Sequence, residues 1–314
     1  MSKKIISLAA GMAMIGGVAM SDTPKVAADI SPVHSLVSRV MLGVGTPDLI
    51  VQAGASPHGY TLRPSEAKAL QDAQMVFWMG ESLSPWMEGA LDTLSSDATI
   101  ITLLERDETI LMEFREGALF EEHDHDDHGD EKHDDHGDHE DHGSHDPHAW
   151  LSPDNARIWL NLIASQLSIV DPENAGTYFA NAAAARSEIE ALTIEVNSLL
   201  EPVRGKKFIV FHDAYQYFEK AFDLSASGAI SLGDASKPSP ARIAEIQGRI
   251  QEESIDCVLS EPQFNKGLVA TVMAGSKAKT NVIDPLGVGL KPGPDLYSEL
   301  IRNMTKTLVD CFES

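Results

Sequence analysis

The segment Pro172–Leu200, PENAGTYFANAAAARSEIEALTIEVNSLL, constrains the fold more than any other stretch of this chain. It is rich in Ala and Glu and has no Pro or Gly after Gly176, which predicts one uninterrupted helix. At about 1.5 Å per residue this helix would span on the order of 40 Å, the length of two small lobes. A plain surface helix is the simpler interpretation. Because strands and helices alternate on both sides of the segment, we favour a rigid connector.

Predicted strands lie both before and after this helix. The first half of the chain contains three of them, Asp48–Ala53, Met75–Met79 and Thr99–Leu104. The second half contains three more, Lys207–Phe211, Cys257–Ser260 and Asn281–Ile283. Helical segments follow most of these strands, which is typical of parallel sheets. We therefore predict an α/β fold with two lobes, each with a mostly parallel sheet flanked by helices, joined by one long rigid helix.

The start of the chain has the form of a secretory signal. Lys3 and Lys4 precede the apolar run Ile5–Met20, and cleavage is expected near Ser21. The run is short for a membrane span and contains three glycines, so we expect its removal rather than an anchor. No cysteine lies nearby that could carry a lipid. The signal therefore predicts export to the periplasm of a Gram-negative cell.

A run of His, Asp and Glu interrupts the first half of the chain. Nine of the twelve histidines lie between His123 and His148, and Glu121–His148 has no aliphatic residue and no Phe, Tyr or Trp, which predicts disorder. Imidazoles among carboxylates bind zinc, nickel or copper, whereas an acidic linker would need no histidine. We therefore predict auxiliary, lower-affinity metal sites in this run. Their candidate ligands are His123, His125, His128, His133, His136, His139, His142 and His145.

The charge and the cysteines exclude some functions and predict one cross-link. The formal net charge is −24, and the thirteen acidic residues and one Lys of Glu121–His148 supply −12 of it. Nucleic acid and anionic membranes are also negatively charged, so they are unfavourable partners. We expect the protein to be a monomer. Cys257 and Cys311 are the only cysteines. In an oxidising compartment we expect them to form a disulfide; two buried free thiols are the alternative.

Potential metal ligands stand at strand ends in both halves. His58, His212 and Asp284 each follow a predicted strand, and His148 lies where ordered sequence resumes after the run. In doubly wound sheets, ligands bind beyond the carboxyl ends of the strands. A lone histidine in such a place is more often a packing residue. Four such residues, in a chain that also carries a histidine run, predict a metal site in a cleft.

Five segments resemble the metal-specific solute-binding proteins of ABC importers, and most closely the periplasmic zinc-uptake (ZnuA-type) members. These segments are GASPHGYTLRPSEAKAL, DPHAWLSPDNA, FHDAYQYF, SEPQF and DPLG. The likeness covers essentially the whole mature chain. It implies two α/β lobes joined by a long helix, with the metal in the cleft. By motif it assigns His58, His148 and His212 as ligands, with Asp284 as a candidate fourth.

The ligand set bears on the choice of metal. Manganese-type members have Glu where this chain has His212, and three imidazoles favour zinc. Some zinc members carry Glu directly before the first ligand histidine, but Pro57 offers no donor here. The fourth position therefore falls to Asp284, to water or to a run histidine. Glu261 is a candidate acceptor for the N–H of a ligand imidazole, with an ordinary ion pair equally open.

The resemblance implies a protein that captures Zn²⁺ and delivers it to an inner-membrane ABC zinc permease, with periplasmic zinc chaperones as further candidate partners. A manganese- or iron-binding member of the family is one alternative. A periplasmic zinc hydrolase is another, because three histidines and a water also form a catalytic site. The chain has neither HExxH nor GxSxG, so we expect no enzyme. A metal-buffering protein without a transporter is a third alternative.

These observations divide the chain into six parts. They are a signal peptide (1–21), an N-terminal α/β lobe (22–120), a His/Asp-rich loop (121–147), the end of the N-terminal lobe (148–171), a connecting helix (172–202) and a C-terminal α/β lobe (203–314).

Overall fold

The computed structural model describes residues 23–115, 120, 145–231, 238–264 and 266–313. The predicted signal peptide and the run histidines from His123 to His142 lie outside these residues. Among the residues that the structure describes, none of the helices has both the length and the apolar character needed to cross a lipid bilayer.

The N-terminal lobe is built on a four-stranded parallel sheet in the order β2-β1-β3-β4. Its strands are β1 (Val26–Ala28), β2 (Asp48–Leu49), β3 (Met75–Trp78) and β4 (Thr99–Thr102). Its helices are α1 (Ser31–Val40), α2 (Pro64–Asp72), α3 (Pro85–Leu94) and α4 (Pro153–Val170). β1 and β3 are buried throughout, as expected for a parallel sheet covered on both faces. β2 is shorter than the predicted strand Asp48–Ala53, because only its first two residues pair with β1.

The C-terminal lobe repeats this plan with a parallel sheet in the order β6-β5-β7-β8. Its strands are β5 (Phe208–His212), β6 (Ala229–Ser231), β7 (Cys257–Ser260) and β8 (Lys279–Val282). Its helices are α6 (Gln216–Phe222), α7 (Pro240–Glu252), α8 (Lys266–Val272) and α9 (Leu296–Glu313). Cys257 in β7 and Cys311 in α9 form the expected disulfide. The predicted α/β fold of two lobes is confirmed.

One long helix, α5 (Ala175–Leu200), connects the two lobes. Its 26 residues give a length of about 39 Å. Residues buried at intervals of three or four form a continuous seam along it: Tyr178, Ala182, Ala185, Ile189, Leu192, Val196 and Leu200. This seam packs against α1 and α4 of the first lobe and α9 of the second.

Polar contacts fasten both lobes to this connecting helix. Arg39 of α1 forms an ion pair with Glu188, and Arg302 of α9 forms one with Glu195. α9 also contacts the first lobe directly, because the Tyr297 backbone N–H donates to Ser35 Oγ at 2.9 Å. In addition, one hydrophobic core runs through both lobes. The polar contacts and this shared core together oppose a wide hinge motion.

Candidate metal centre

Three histidines from different parts of the chain converge between the lobes. His212 ends β5, His58 lies in the loop between β2 and α2, and His148 precedes a short 3₁₀ helix, Ala149–Leu151. Each offers a ring nitrogen, and these three atoms all lie within 4.8 Å of one another. The structure thus brings together three of the four predicted ligands, two from the first lobe and one from the second.

Buried carboxylates fix the orientation of two of these rings. His148 Nδ1 lies 2.6 Å from Asp146 Oδ1, and His212 Nδ1 lies 2.6 Å from Glu261 Oε1. An Nδ1 that faces a carboxylate carries the hydrogen, which leaves the lone pair of a neutral imidazole on Nε2. Both lone pairs therefore point away from the carboxylates and into the cleft.

The distance between the two Nε2 atoms matches the spacing between two ligands of a tetrahedral metal ion. His148 Nε2 and His212 Nε2 lie 3.4 Å apart. Two acceptors at this distance repel each other unless a proton or a cation lies between them. In a tetrahedral zinc site with bonds of about 2.0–2.1 Å, the spacing between ligand nitrogens is about 3.3–3.4 Å. The rings are therefore arranged for a cation of this kind.

The surroundings of His58 favour its neutral form. Burial, and to a smaller extent the neighbouring His148 and His212, together lower the pKa of His58 to about 3. The loop that carries the ring is fixed by Pro57, whose carbonyl accepts hydrogen bonds from Ser84 Oγ at 3.1 Å and Trp86 Nε1 at 2.7 Å. His58 is therefore deprotonated near neutral pH, as a metal ligand must be.

Asp146 is a candidate functional residue that was not predicted from the sequence. Besides the ring, it accepts the backbone N–H of His148 at 2.9 Å. Gln216 Nε2 donates to its other oxygen at 2.6 Å. Burial acts to raise the pKa of Asp146, but the contacts with His148 and Gln216 outweigh it and the pKa lies below its ordinary value. The sequence feature that could have identified it is its position two residues before His148, because an Asp side chain often accepts the backbone N–H two residues further along the chain.

Asp284, the candidate fourth ligand, lies outside the group of mutually close ligand atoms found among the described residues. Its carboxylate accepts three backbone N–H groups, from Leu286 at 3.0 Å, Gly287 at 2.9 Å and Val288 at 2.6 Å. These bonds hold a turn whose Pro285 and Leu286 line the cleft. The carboxylate of Asp284 thus shapes the wall of the cleft.

Apolar side chains enclose the three imidazoles. The indole of Trp150 packs against His148 with ring centroids 5.2 Å apart, and its Nε1 donates to the carbonyl of Pro285 at 2.9 Å. Phe264 packs against His212 and stacks on Phe211 behind it. The cleft is lined by Ser56, Pro57, His58, His148, Trp150, His212, Glu261, Gln263, Phe264, Pro285 and Leu286.

The residues that flank the His/Asp-rich run are anchored beside this centre. Glu113 pairs with His145 in an isolated antiparallel bridge. Arg115 forms ion pairs with Asp213, the neighbour of His212, and with Glu219. Of the eight histidines predicted as auxiliary ligands, His145 alone lies within the described part of the chain, and it is not in the three-histidine group.

Known proteins resemble this chain in sequence and in fold. A family model described as "Zinc-uptake complex component A periplasmic" (ZnuA) matches residues 26–311. The "High-affinity zinc uptake system protein ZnuA" of Brucella abortus (strain 2308) is 48% identical over 303 residues, which cover 91% of each chain. The protein of the same name from Paracoccus denitrificans (strain Pd 1222) is 46% identical over 318 residues, covering 97% of this chain and 96% of that one.

A solved crystal structure of ZnuA has the same fold. It superposes with a TM-score of 0.75 at 23% sequence identity, covering 92% of this chain and 99% of that chain. The resemblance expected from the five segments is confirmed by the family match and by the identity to the relatives. The chain belongs to the ZnuA family, the periplasmic component A of zinc-uptake complexes, which is a family of solute-binding transport proteins.

Proposed function

We propose that this protein captures one Zn²⁺ in the cleft through His58, His148 and His212 and delivers it to an ABC permease of the inner membrane. The observation that carries the proposal is the 3.4 Å spacing of His148 Nε2 and His212 Nε2, which suits two ligands of one tetrahedral ion. The close relatives are named as high-affinity zinc uptake proteins, which supports the same cargo.

The charges around the centre suit a divalent ion. Three neutral imidazoles contribute no charge, and the ionised carboxylates of Asp146 and Glu261 contribute −2. A bound Zn²⁺ makes the cluster neutral, which offsets the cost of burying these carboxylates. Imidazole ligands suit zinc, whereas manganese prefers oxygen ligands in direct contact.

The fourth position of the ion belongs to a water molecule in this proposal. The Asp284 carboxylate already accepts three backbone N–H groups, and Pro57 has no donor atom. A water ligand also keeps the zinc exchangeable, because only three protein bonds must break for release.

We propose a carrier without catalytic activity. A zinc hydrolase needs a general base beside the metal-bound water. The two carboxylates closest to the ligand rings, Asp146 and Glu261, each accept a hydrogen bond from an imidazole Nδ1. Their role is to orient the ligands, so neither is available as a base.

Release follows a small local movement when the permease docks. The helix α5 and the ion pairs Arg39–Glu188 and Arg302–Glu195 hold the lobes together. The three ligands come from separate elements, so a shift of the loop that carries His58 would break the set. The protein acts as a monomer in the periplasm. The His/Asp-rich run adds weaker zinc sites. Periplasmic zinc chaperones are further candidate partners.

A zinc titration of the metal-stripped mature protein against a competing chelator tests this function. We expect one tight zinc per chain, lost in His212→Ala and retained in His34→Ala, the same change at a buried histidine outside the centre. Manganese should not compete. Tight binding that survives His212→Ala, or equal binding of manganese, would overturn the proposal.

A further inference from the structure

Gln263 lines the cleft of the three histidines and carries a buried side-chain oxygen that lacks a hydrogen-bond donor among the described residues. It lies in the segment that follows β7, between Glu261 and Phe264, and lines the cleft. Its Oε1 is buried and has no hydrogen-bond partner among the residues that the structure describes. A buried amide oxygen without a donor costs free energy, so such an atom in a native site needs a bound group to complete it.

The side chains of His148, His212 and Trp150 do not supply this donor. His148 and His212 direct their Nδ1–H groups to carboxylates and present only lone pairs to the cleft. The indole N–H of Trp150 is used by the carbonyl of Pro285. A water bound to Zn²⁺, by contrast, is a strong donor, because the ion polarises its O–H bonds.

We infer that Gln263 accepts a hydrogen bond, through Oε1, from the water that completes the coordination of the bound zinc. Gln263 is thus a positioning residue that sets the affinity and the choice of metal. This inference rests on the proposed zinc site, because the water is held by the ion that His58, His148 and His212 bind.

An amide at this position has chemical consequences that a carboxylate would not have. The amide oxygen accepts a hydrogen bond but cannot take up the proton, so the water remains neutral and exchangeable. A carboxylate would stabilise hydroxide or replace the water as a ligand, which would hold zinc more tightly. It would also add the oxygen ligand that manganese prefers.

Two substitutions at Gln263 separate these possibilities. Gln263→Leu removes the acceptor, and Gln263→Glu replaces it with an anion. Gln251→Leu and Gln251→Glu are matched controls, because Gln251 is exposed on α7 and does not line the cleft. The readouts are zinc affinity by chelator competition, the visible spectrum of the Co²⁺-loaded protein, and manganese affinity.

We expect Gln263→Leu to bind one zinc about three- to tenfold more weakly, the effect of losing one hydrogen bond. Gln263→Glu should bind zinc about tenfold more tightly, and manganese measurably, since an anion now faces the ion. The Co²⁺ spectrum should change in both. The Gln251 variants should stay within about twofold of the unmodified protein.

The outcomes are distinguishable from failure of the proposed function. If the unmodified protein binds no tight zinc, or keeps it in His212→Ala, the zinc site itself is wrong. If the zinc site holds but both Gln263 variants retain the affinity and the Co²⁺ spectrum, the role of Gln263 is wrong. The metal-free Gln263→Leu protein should melt no lower than the unmodified one, because it loses an unsatisfied polar atom. Gln263→Glu, which preserves the side-chain shape, decides the matter if Gln263→Leu does not fold.

Discussion

Glu261 offers a quantitative test of how the protein holds its cargo. Its Oε1 lies 2.6 Å from His212 Nδ1, and the residue is 2% exposed. Glu261→Gln keeps an acceptor of the same shape but removes the negative charge. Glu261→Leu removes both the charge and the acceptor. The two variants therefore separate the electrostatic contribution from the orientation of the ring.

The magnitude follows from the strength of a charge-assisted hydrogen bond. Such a bond contributes about 1.5–3 kcal/mol, and loss of this kind of ligand partner weakens metal binding by about 10- to 100-fold. We expect a zinc affinity about tenfold lower in Glu261→Gln and about 100-fold lower in Glu261→Leu. Asp146→Asn should resemble Glu261→Gln, because Asp146 Oδ1 has the same 2.6 Å contact with His148 Nδ1.

Chelator competition with metal-stripped protein measures these affinities. Glu195→Gln is the matched control, because it removes the same charge from a half-exposed residue of the connecting helix. Its zinc affinity should be unchanged. If the zinc affinities of both Glu261 variants stay within about threefold of that of the unmodified protein, the carboxylate neither orients His212 nor strengthens it as a ligand.

Three further predictions concern pH, the anchoring of the run and the run itself. Because burial lowers the pKa of His58 to about 3, the unfolded chain binds a proton that the folded chain does not between pH 6.5 and about 3. The metal-free protein should therefore lose stability as pH falls through this range, by at most about 1.4 kcal/mol per pH unit for this group. Chemical denaturation at several pH values measures this, and the free energy of unfolding should depend less steeply on pH in His58→Gln. Arg115→Met leaves the buried carboxylates of Asp213 and Glu219 unpaired, so its free energy of unfolding should fall by about 3–5 kcal/mol at neutral pH; an unchanged denaturation midpoint would contradict this. Deletion of residues 121–144 should lower the total zinc bound per chain, measured by elemental analysis, while the tight site persists; loss of the tight site would show that the run supplies a ligand.

The sequence predicted the parts of this molecule that depend on local pattern. The long helix follows from an uninterrupted run of helix-forming residues, and Leu200 is indeed its last residue. The strand that ends at His212 follows from four consecutive apolar or aromatic residues, Phe208–Phe211, which are buried in β5. The disulfide followed from the number of cysteines and the predicted compartment rather than from geometry.

Contacts between distant segments could not be predicted in this way. Gln216 and Arg115 act through partners that only folding brings near: Gln216 donates to Asp146, and Arg115 pairs with Asp213. Asp284 shows the opposite limit. The DPLG motif makes it a candidate fourth metal ligand, but an Asp at the start of a turn also competes for nearby backbone N–H groups, and in this structure its carboxylate accepts three of them.

Diffraction from zinc-loaded crystals, recorded at the zinc absorption edge, locates the bound ion. We expect one strong anomalous peak in the cleft, about 2.0–2.1 Å from a ring nitrogen of each of His58, His148 and His212, with a water as the fourth ligand. A principal peak outside the cleft, or one bound by the carboxylate of Asp284 in place of any of the three imidazoles, would contradict the proposed zinc site.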